Sequence, residues 1–132
     1  DHIQGLGFFP PLYDAQVDTH LWAPPGTTLT LRARLMRYLS PPLFPVHLRE
    51  LPRLTLHDLP EDAFSIGPFC IRADRVCHPG FTVGYRIVEG ERTLTYLSDH
   101  EPALGVDHFP LPGAWTSGYA LARDADLLLH DA

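Results

Sequence analysis

The sequence lacks the features that mark several common protein classes. No apolar run reaches the roughly 18 residues that are needed to span a bilayer, and no charged and then apolar leader of a signal peptide stands in it. Lysine and arginine number 10 against 16 aspartates and glutamates, which gives a net charge of −6. A chain without a basic excess is not expected to bind DNA in general. We therefore expect neither a membrane nor DNA as a partner.

Cysteine is also scarce, with only Cys70 and Cys77 present. Both lie in FCIRADRVCH, which has the pattern of one strand. At about 3.3 Å per residue the two would lie roughly 23 Å apart along that strand. A disulfide cannot bridge this distance, so we predict two reduced thiols and a cytoplasmic protein.

Apolar residues and prolines, in contrast, are plentiful. Apolar residues make up 45% and charged residues 20% of the 132 residues, as is typical of one globular domain with a core. The 14 prolines indicate many rigid loops.

Hydrophobic periodicity predicts a mixed α/β fold. One helix is expected in TTLTLRARLMRYLS, with Thr27 or Thr28 as its N-cap and with an apolar stripe of Leu31, Leu35, Met36 and Leu39. A final strand in ADLLLHDA is expected to be buried on both faces, because its apolar run is continuous. The other predicted strands lie in VDTHLWAP, RLTLHDL, PFCIRADRVCH, FTVGYRIV and RTLTYLSD.

A hairpin predicted at VEGER brings a histidine and a carboxylate to the same edge of the sheet. If the turn is centred near Gly90, Phe81 faces Asp99, and His78 lies just before the first strand. An imidazole and a carboxylate at strand ends are ligands for zinc or for a two-metal site. The alternative is a histidine–aspartate hydrogen bond that holds two loops together.

Other polar residues also have expected roles. His130 and Asp131 end the last predicted strand, where sites form in α/β proteins, so we expect them to contact the substrate or the metal ligands. Thr82 is close enough in sequence to orient His78. A surface position or a contact to a metal ligand is expected for His100. Structural roles are expected for His20, His47 and His57, while Arg32, Arg34 and Arg37 either steer a phosphate or form a solvated helix face.

Four segments resemble motifs of the metallo-β-lactamase superfamily. DHIQGL resembles the second half of its H-x-H-x-D-H motif, and CHPGFTVGYRI resembles its next histidine motif. LTYLSDHE resembles its bridging-aspartate motif, and ADLLLHDA resembles the strand that precedes the last part of the domain. The resemblance covers nearly the whole chain. It implies an α/β fold, an αββα sandwich, with a dinuclear metal site along one edge.

The resemblance also implies a role for each matching residue. Asp1 and His2 would ligate the second metal ion, with Asp1 as the catalytic residue, His78 would ligate the first, and Asp99 would bridge the two. The ions would be zinc, with manganese or iron as alternatives. They would activate water for attack on the substrate.

The chain departs from the family pattern at both ends. The paired histidines that should precede Asp1 are missing, and the last histidine ligand should lie beyond Ala132. We therefore expect residues 1–132 to be an internal segment of a single, longer metallo-β-lactamase-fold domain. Such a segment should be inactive alone.

The segment FFPPLYD after DHIQGL, the strand that ends in AP and the basic helix resemble the phosphodiesterase side of the superfamily. That side includes the ribonuclease Z-like enzymes, the class II cyclic-nucleotide phosphodiesterases and the cyclic-phosphate phosphodiesterases of phosphonate breakdown. The resemblance implies a metal-dependent hydrolase that acts on a small phosphodiester or a nucleotide-like substrate. Two alternatives stay open: a non-catalytic binding domain of the same fold that lacks a complete metal site, and a β-rich binding module whose histidine–aspartate pairs are structural. The sequence leaves open whether the protein forms a homodimer.

Overall fold

A computed structural model describes residues 3–131 of the chain. The chain divides into two compact units, Asp1–Leu59 and Pro60–Ala132. The prediction that residues 1–132 belong to one domain stays a prediction.

The first unit packs a helix against a pair of parallel strands, β1 and β2. Seven buried residues form its core: Leu12, Leu31, Leu35, Leu39, Phe44, Leu48 and Leu51. The elements follow the predicted positions closely, with 3-10 turns at Leu6–Phe8, Pro10–Tyr13 and Leu48–Glu50, β1 at Thr19–Ala23, helix α1 at Leu31–Tyr38 and β2 at Leu54–Asp58.

Helix α1 is confirmed, but its predicted cap is wrong. Thr30 caps the helix, since its side-chain oxygen accepts a hydrogen bond of 3.2 Å from the backbone N–H of Ala33. Residues 27–29 form bends instead, so neither Thr27 nor Thr28 stands at the helix start. The predicted stripe is correct except for Met36, which is 49% exposed. Met36 follows the buried Leu35 directly, and adjacent residues of a helix point in different directions.

The second unit contains a five-stranded sheet in the order β3-β4-β5-β6-β7. The first four strands pair antiparallel, whereas β7 runs parallel to β6, so the carboxyl ends of β6 and β7 meet at one edge. Val76, Leu97 and Leu121 form the buried core of this unit. Its elements are β3 at Phe64–Ile66, β4 at Phe69–Val76, β5 at Thr82–Glu89, β6 at Arg92–Leu97, a 3-10 turn at Gly113–Trp115, helix α2 at Tyr119–Ala122 and β7 at Leu127–His130.

The predicted hairpin forms between β5 and β6, but with a register that differs by one residue. Glu89 pairs with Arg92 and Tyr85 with Tyr96. The predicted facing of Phe81 with Asp99 is wrong, since the pairing of β5 with β6 extends only to Tyr85 and Tyr96. The difference arises because the turn contains two residues and places Gly90 in its first position with a φ of 56°, as a type II′ turn requires.

The prediction that the last strand is buried on both faces is wrong. Leu127, Leu128 and Leu129 are 50%, 46% and 45% exposed. Within the described residues β7 lies at the end of the strand order, so a neighbouring strand flanks it on one side alone and fewer side chains cover it. A continuous apolar run is also compatible with such an edge strand.

The two cysteines are free, as predicted. Cys70 lies in β4, and Cys77 lies directly after it. Neither helix within residues 3–131 has the length and apolar character that a bilayer crossing requires.

Candidate functional site

Three segments of the second unit meet at the carboxyl ends of β6 and β7. The backbone N–H of Glu101 donates to the carbonyl oxygen of Cys77 at 2.8 Å, which joins the turn after β6 to the segment that contains His78. The backbone N–H of Asp131 donates to the carbonyl oxygen of Leu97 at 3.3 Å, which joins the end of β7 to the end of β6. The segments of His78, Asp99 and Asp131 therefore lie at the same edge of the sheet.

The imidazole of His78 is held on one side by two oxygen atoms. Its Nδ1 lies 2.9 Å from the carbonyl oxygen of Pro79 and 3.3 Å from Oγ1 of Thr82. A carbonyl oxygen only accepts hydrogen bonds, so Nδ1 carries a proton, and in the neutral ring Nε2 is then the nitrogen with the lone pair. This is the tautomer of a metal-ligating histidine whose second nitrogen is fixed by a hydrogen bond. The predicted closeness of Thr82 to His78 is present in the structure.

The Nε2 atom of His78 faces a carboxylate that the sequence analysis did not single out. Oε1 of Glu101 lies 3.6 Å from this nitrogen, and the Glu101 side chain is 53% exposed. The available signal was the position of Glu101, two residues after Asp99 in the same turn. Nothing in the sequence pattern distinguishes it from other exposed glutamates.

Asp99 has a backbone conformation that is rare for residues other than glycine. Its φ is 50°, in the left-handed region. Its backbone N–H donates to Oδ2 of Asp131 at 2.7 Å, and the N–H of His100 donates to Oδ1 of the same carboxylate at 3.3 Å. Desolvation raises the pKa of Asp131, but the N–H groups of Asp99, His100 and Asp131 itself lower this pKa by more, so that it lies below its ordinary value.

His100 is buried, with 8% of its surface exposed, so the surface alternative for this residue is wrong. Its Nδ1 lies 2.9 Å from Nε2 of His130, and the two rings are perpendicular. Gly118 gives the ring its space, because a Cβ at this position would lie 2.8 Å from Cε1 of His100. Burial lowers the pKa of His100, and neighbouring His130 lowers it further, so the ring is neutral at neutral pH.

The described part of the site offers two of the four predicted metal ligands. Asp1 and His2 lie outside the described residues. Within residues 3–131 no group of three or more histidine, cysteine, aspartate or glutamate side chains is placed to hold a metal ion. The imidazole of His78 and the carboxylate of Asp99 nevertheless have the donor chemistry that zinc prefers, and the hydrogen bonds of His78 engage Nδ1 and leave Nε2 for a metal ion.

The remaining candidates lie in the first unit. Arg32 and Arg37 are exposed on α1, whereas Arg34 donates a hydrogen bond to the carbonyl oxygen of Pro24. The hydrogen bond engages Arg34, whereas the exposed Arg32 and Arg37 fit both a solvated helix face and phosphate steering. His47 precedes the Leu48–Glu50 turn as its cap, and His20 and His57 form a pair beside Trp22.

Comparison with solved structures places this architecture in a known fold. The chain is similar to the metallo-beta-lactamase fold protein YhfI from Bacillus subtilis, with a TM-score of 0.54 and 19% sequence identity. The match covers 97% of this chain but 44% of YhfI, so the chain spans less than half the length of that protein. No family model and no curated protein matches the sequence. The likeness shows the metallo-β-lactamase fold alone, while the predicted stacking of two sheets in a sandwich stays a prediction.

Proposed function

We propose that the polypeptide containing this chain is a metal-dependent hydrolase with a dinuclear metal site, and that it acts on a phosphodiester or a nucleotide-like substrate. The observation that carries the proposal is the meeting of the His78 segment and the Asp99 turn, joined by the 2.8 Å hydrogen bond between Glu101 and Cys77. The metallo-β-lactamase fold of the chain supports it.

The proposal assigns ligand roles to four residues of this chain. Nε2 of His78 would hold one divalent cation, Asp1 and His2 would hold the second, and the carboxylate of Asp99 would lie between them. Asp1 would also act as the catalytic residue. Zinc suits these donors, with manganese or iron as alternatives. When bound, a pair of such cations favours a nucleophilic hydroxide and offsets the charge that develops on the phosphoryl oxygens.

The choice of a phosphodiester rests on charge and on sequence resemblance. The chain has a net charge of −6, and the arginines of α1 are exposed or engaged with the backbone. The cations would therefore supply the positive charge that attracts an anionic substrate. A small substrate is favoured over structured RNA because the 16 acidic residues outnumber the 10 basic ones. All four proposed ligands belong to this chain, and a homodimer stays a prediction.

Substitution of the bridging residue tests this function. In the full-length polypeptide, Asp99→Ala should reduce the zinc content and lower hydrolysis of bis(p-nitrophenyl) phosphate by more than about a hundredfold, a larger loss than changes around a metal ligand cause. The matched control is Asp107→Asn, an exposed aspartate further along the same loop. If Asp99→Ala retains activity within a few-fold of the parent protein, the assignment is wrong.

A non-catalytic binding domain of the same fold is the second candidate. It is favoured by the hydrogen bonds that engage this edge within the fold, from Nδ1 of His78 to the carbonyl oxygen of Pro79 and from the N–H groups of Asp99 and His100 to the carboxylate of Asp131. The residues that precede Asp1 in the full polypeptide distinguish the two: an H-x-H pair there completes the site, and other residues there favour the binding domain. Fewer than about one metal ion per polypeptide, with no loss of stability on chelation, would also favour it.

A further inference from the structure

We propose that Asp131 is a positioning residue: its carboxylate fixes the backbone of the Asp99 turn, and so the direction in which the Asp99 carboxylate points. The inference rests on the proposed function, since it takes Asp99 as a metal ligand. Asp131 itself need not touch a metal ion.

The first step of the argument is the backbone of the turn. A left-handed conformation is unfavourable for an aspartate and persists only where its surroundings hold it. The two oxygens of the Asp131 carboxylate accept hydrogen bonds from two consecutive N–H groups, at 2.7 Å from Asp99 and 3.3 Å from His100. Hydrogen bonds to an ionised acceptor are roughly twice as strong as neutral ones. The carboxylate of Asp131 is therefore well placed to hold the φ of 50° at Asp99.

The second step is the anchoring of Asp131 itself. It follows β7 directly, and the last register pair of β6 and β7 is Leu97 with His130. The backbone N–H of Asp131 continues this pairing by donating to the carbonyl oxygen of Leu97 at 3.3 Å. The Asp131 carboxylate thus projects from a backbone that is already hydrogen-bonded to Leu97. Leu97 is the last residue of β6 and lies two residues before Asp99.

The third step is the packing of the neighbouring residue. The side chain of His100 is held by His130, at 2.9 Å between ring nitrogens, and by close approach to Gly118. The end of β7 therefore holds the turn twice, through the backbone by Asp131 and through a side chain by His130. Asp99 lies directly before the residue that receives both contacts.

The same strand pair offers a matched control at its other end. Oδ2 of Asp126 accepts a hydrogen bond of 2.7 Å from the backbone N–H of Thr93, and the N–H of Asp126 donates to the carbonyl oxygen of Thr93 at 2.9 Å. Asp126 and Asp131 thus flank β7 and make the same type of contact with the β6 segment. Only Asp131 reaches the turn of Asp99.

The experiment compares Asp131→Ala, Asp131→Asn and Asp126→Ala in the full-length polypeptide. Zinc affinity is measured by competition with a chromophoric chelator, the visible spectrum of the Co²⁺-loaded protein reports ligand geometry, and urea unfolding reports stability. We expect Asp131→Ala to weaken zinc binding about 10- to 100-fold, as residues that orient metal ligands do. Asp131→Asn should weaken it less, because its amide oxygen still accepts one N–H. Asp126→Ala should stay within about twofold of the parent protein.

The outcomes separate this inference from the proposed function. If the parent protein binds zinc through Asp99 but Asp131→Ala and Asp126→Ala bind it equally well, Asp131 has only a structural role and the inference is wrong. If the parent protein binds no zinc and cleaves no diester, the proposed function fails and the inference fails with it. Should Asp131→Ala not fold in the urea assay, Asp131→Asn decides the question: affinity equal to that of Asp126→Ala overturns the inference, and a selective loss supports it.

Discussion

Two histidine pairs in this chain have the same spacing and different surroundings. In the first unit Nδ1 of His20 lies 2.9 Å from Nε2 of His57, and in the second unit Nδ1 of His100 lies 2.9 Å from Nε2 of His130. The ring centroids are 5.1 Å apart in both pairs. Distance alone therefore does not distinguish them.

The angle between the rings and the nearest neighbours do distinguish them. The rings of His20 and His57 are inclined by 21°, and Trp22 stacks on His57 with centroids 4.4 Å apart. The rings of His100 and His130 are inclined by 89°, and Asp131 binds the backbone next to them. The first pair belongs to an aromatic cluster, whereas the second holds a turn that carries a carboxylate. The distance within a histidine pair therefore says less about its role than the ring angle and the neighbouring residues do.

The largest expected effect comes from crowding the second pair. In Gly118→Ala the new Cβ would lie 2.8 Å from Cε1 of His100, at a φ of 74° that alanine adopts only with strain. Left-handed strain and overpacking together should lower the free energy of unfolding by about 3 kcal/mol. Urea unfolding measures the change.

Gly105→Ala is the matched control for this substitution. Gly105 has the same φ of 74°, but nothing lies within 4 Å of the Cβ that alanine would add. Gly105→Ala should therefore lower the free energy of unfolding only by the backbone strain, about 1 kcal/mol. Equal losses for the two variants would show that the contact between Gly118 and His100 carries no packing constraint.

Removal of one ring from each pair should have a smaller and unequal effect. His130→Ala leaves Nδ1 of the buried His100 without its partner, at a cost of about 1–3 kcal/mol, and should weaken zinc binding several-fold because the Asp99 turn loosens. His57→Ala leaves the exposed His20 able to bond to water, so its main cost is the lost ring contact, about 1 kcal/mol. Zinc affinity should not change in His57→Ala. If both variants bind zinc equally well, the proposed difference between the pairs is wrong.

Much of the fold was predictable because it follows from local patterns. The alternation of apolar residues in β5 and the turn glycine Gly90 predict the hairpin, and the leucine spacing predicts α1. The register was missed by one residue because the sequence marks where a turn lies but does not fix whether two or three residues form it. The exposure of β7 was missed because a continuous apolar sequence does not show whether a strand lies in the middle of a sheet or at its edge.

The site was predictable only where motif and topology agreed. The positions of His78 and Asp99 at one sheet edge follow from the hairpin, and the end of β7 follows from its parallel pairing. The burial of His100 depends on Gly118, which is 18 residues away in sequence and lies in a separate turn. The contact of Glu101 with His78 depends on side-chain directions in two loops, which no periodicity encodes. The metal-ligand roles of His78 and Asp99 stay predictions.

The smallest expected effect is spectroscopic and isolates the first pair. Trp115 is 78% exposed, so a Trp115→Phe background leaves Trp22 as the single indole within residues 1–132. In that background His57→Ala removes the ring that lies 4.4 Å from Trp22 and should shift the emission to longer wavelength, because water gains access to the indole. His130→Ala should leave the emission unchanged, since His130 pairs with His100 and not with a ring beside Trp22. A shift of equal size in both variants would mean that the two pairs are coupled and that their different surroundings do not make them independent.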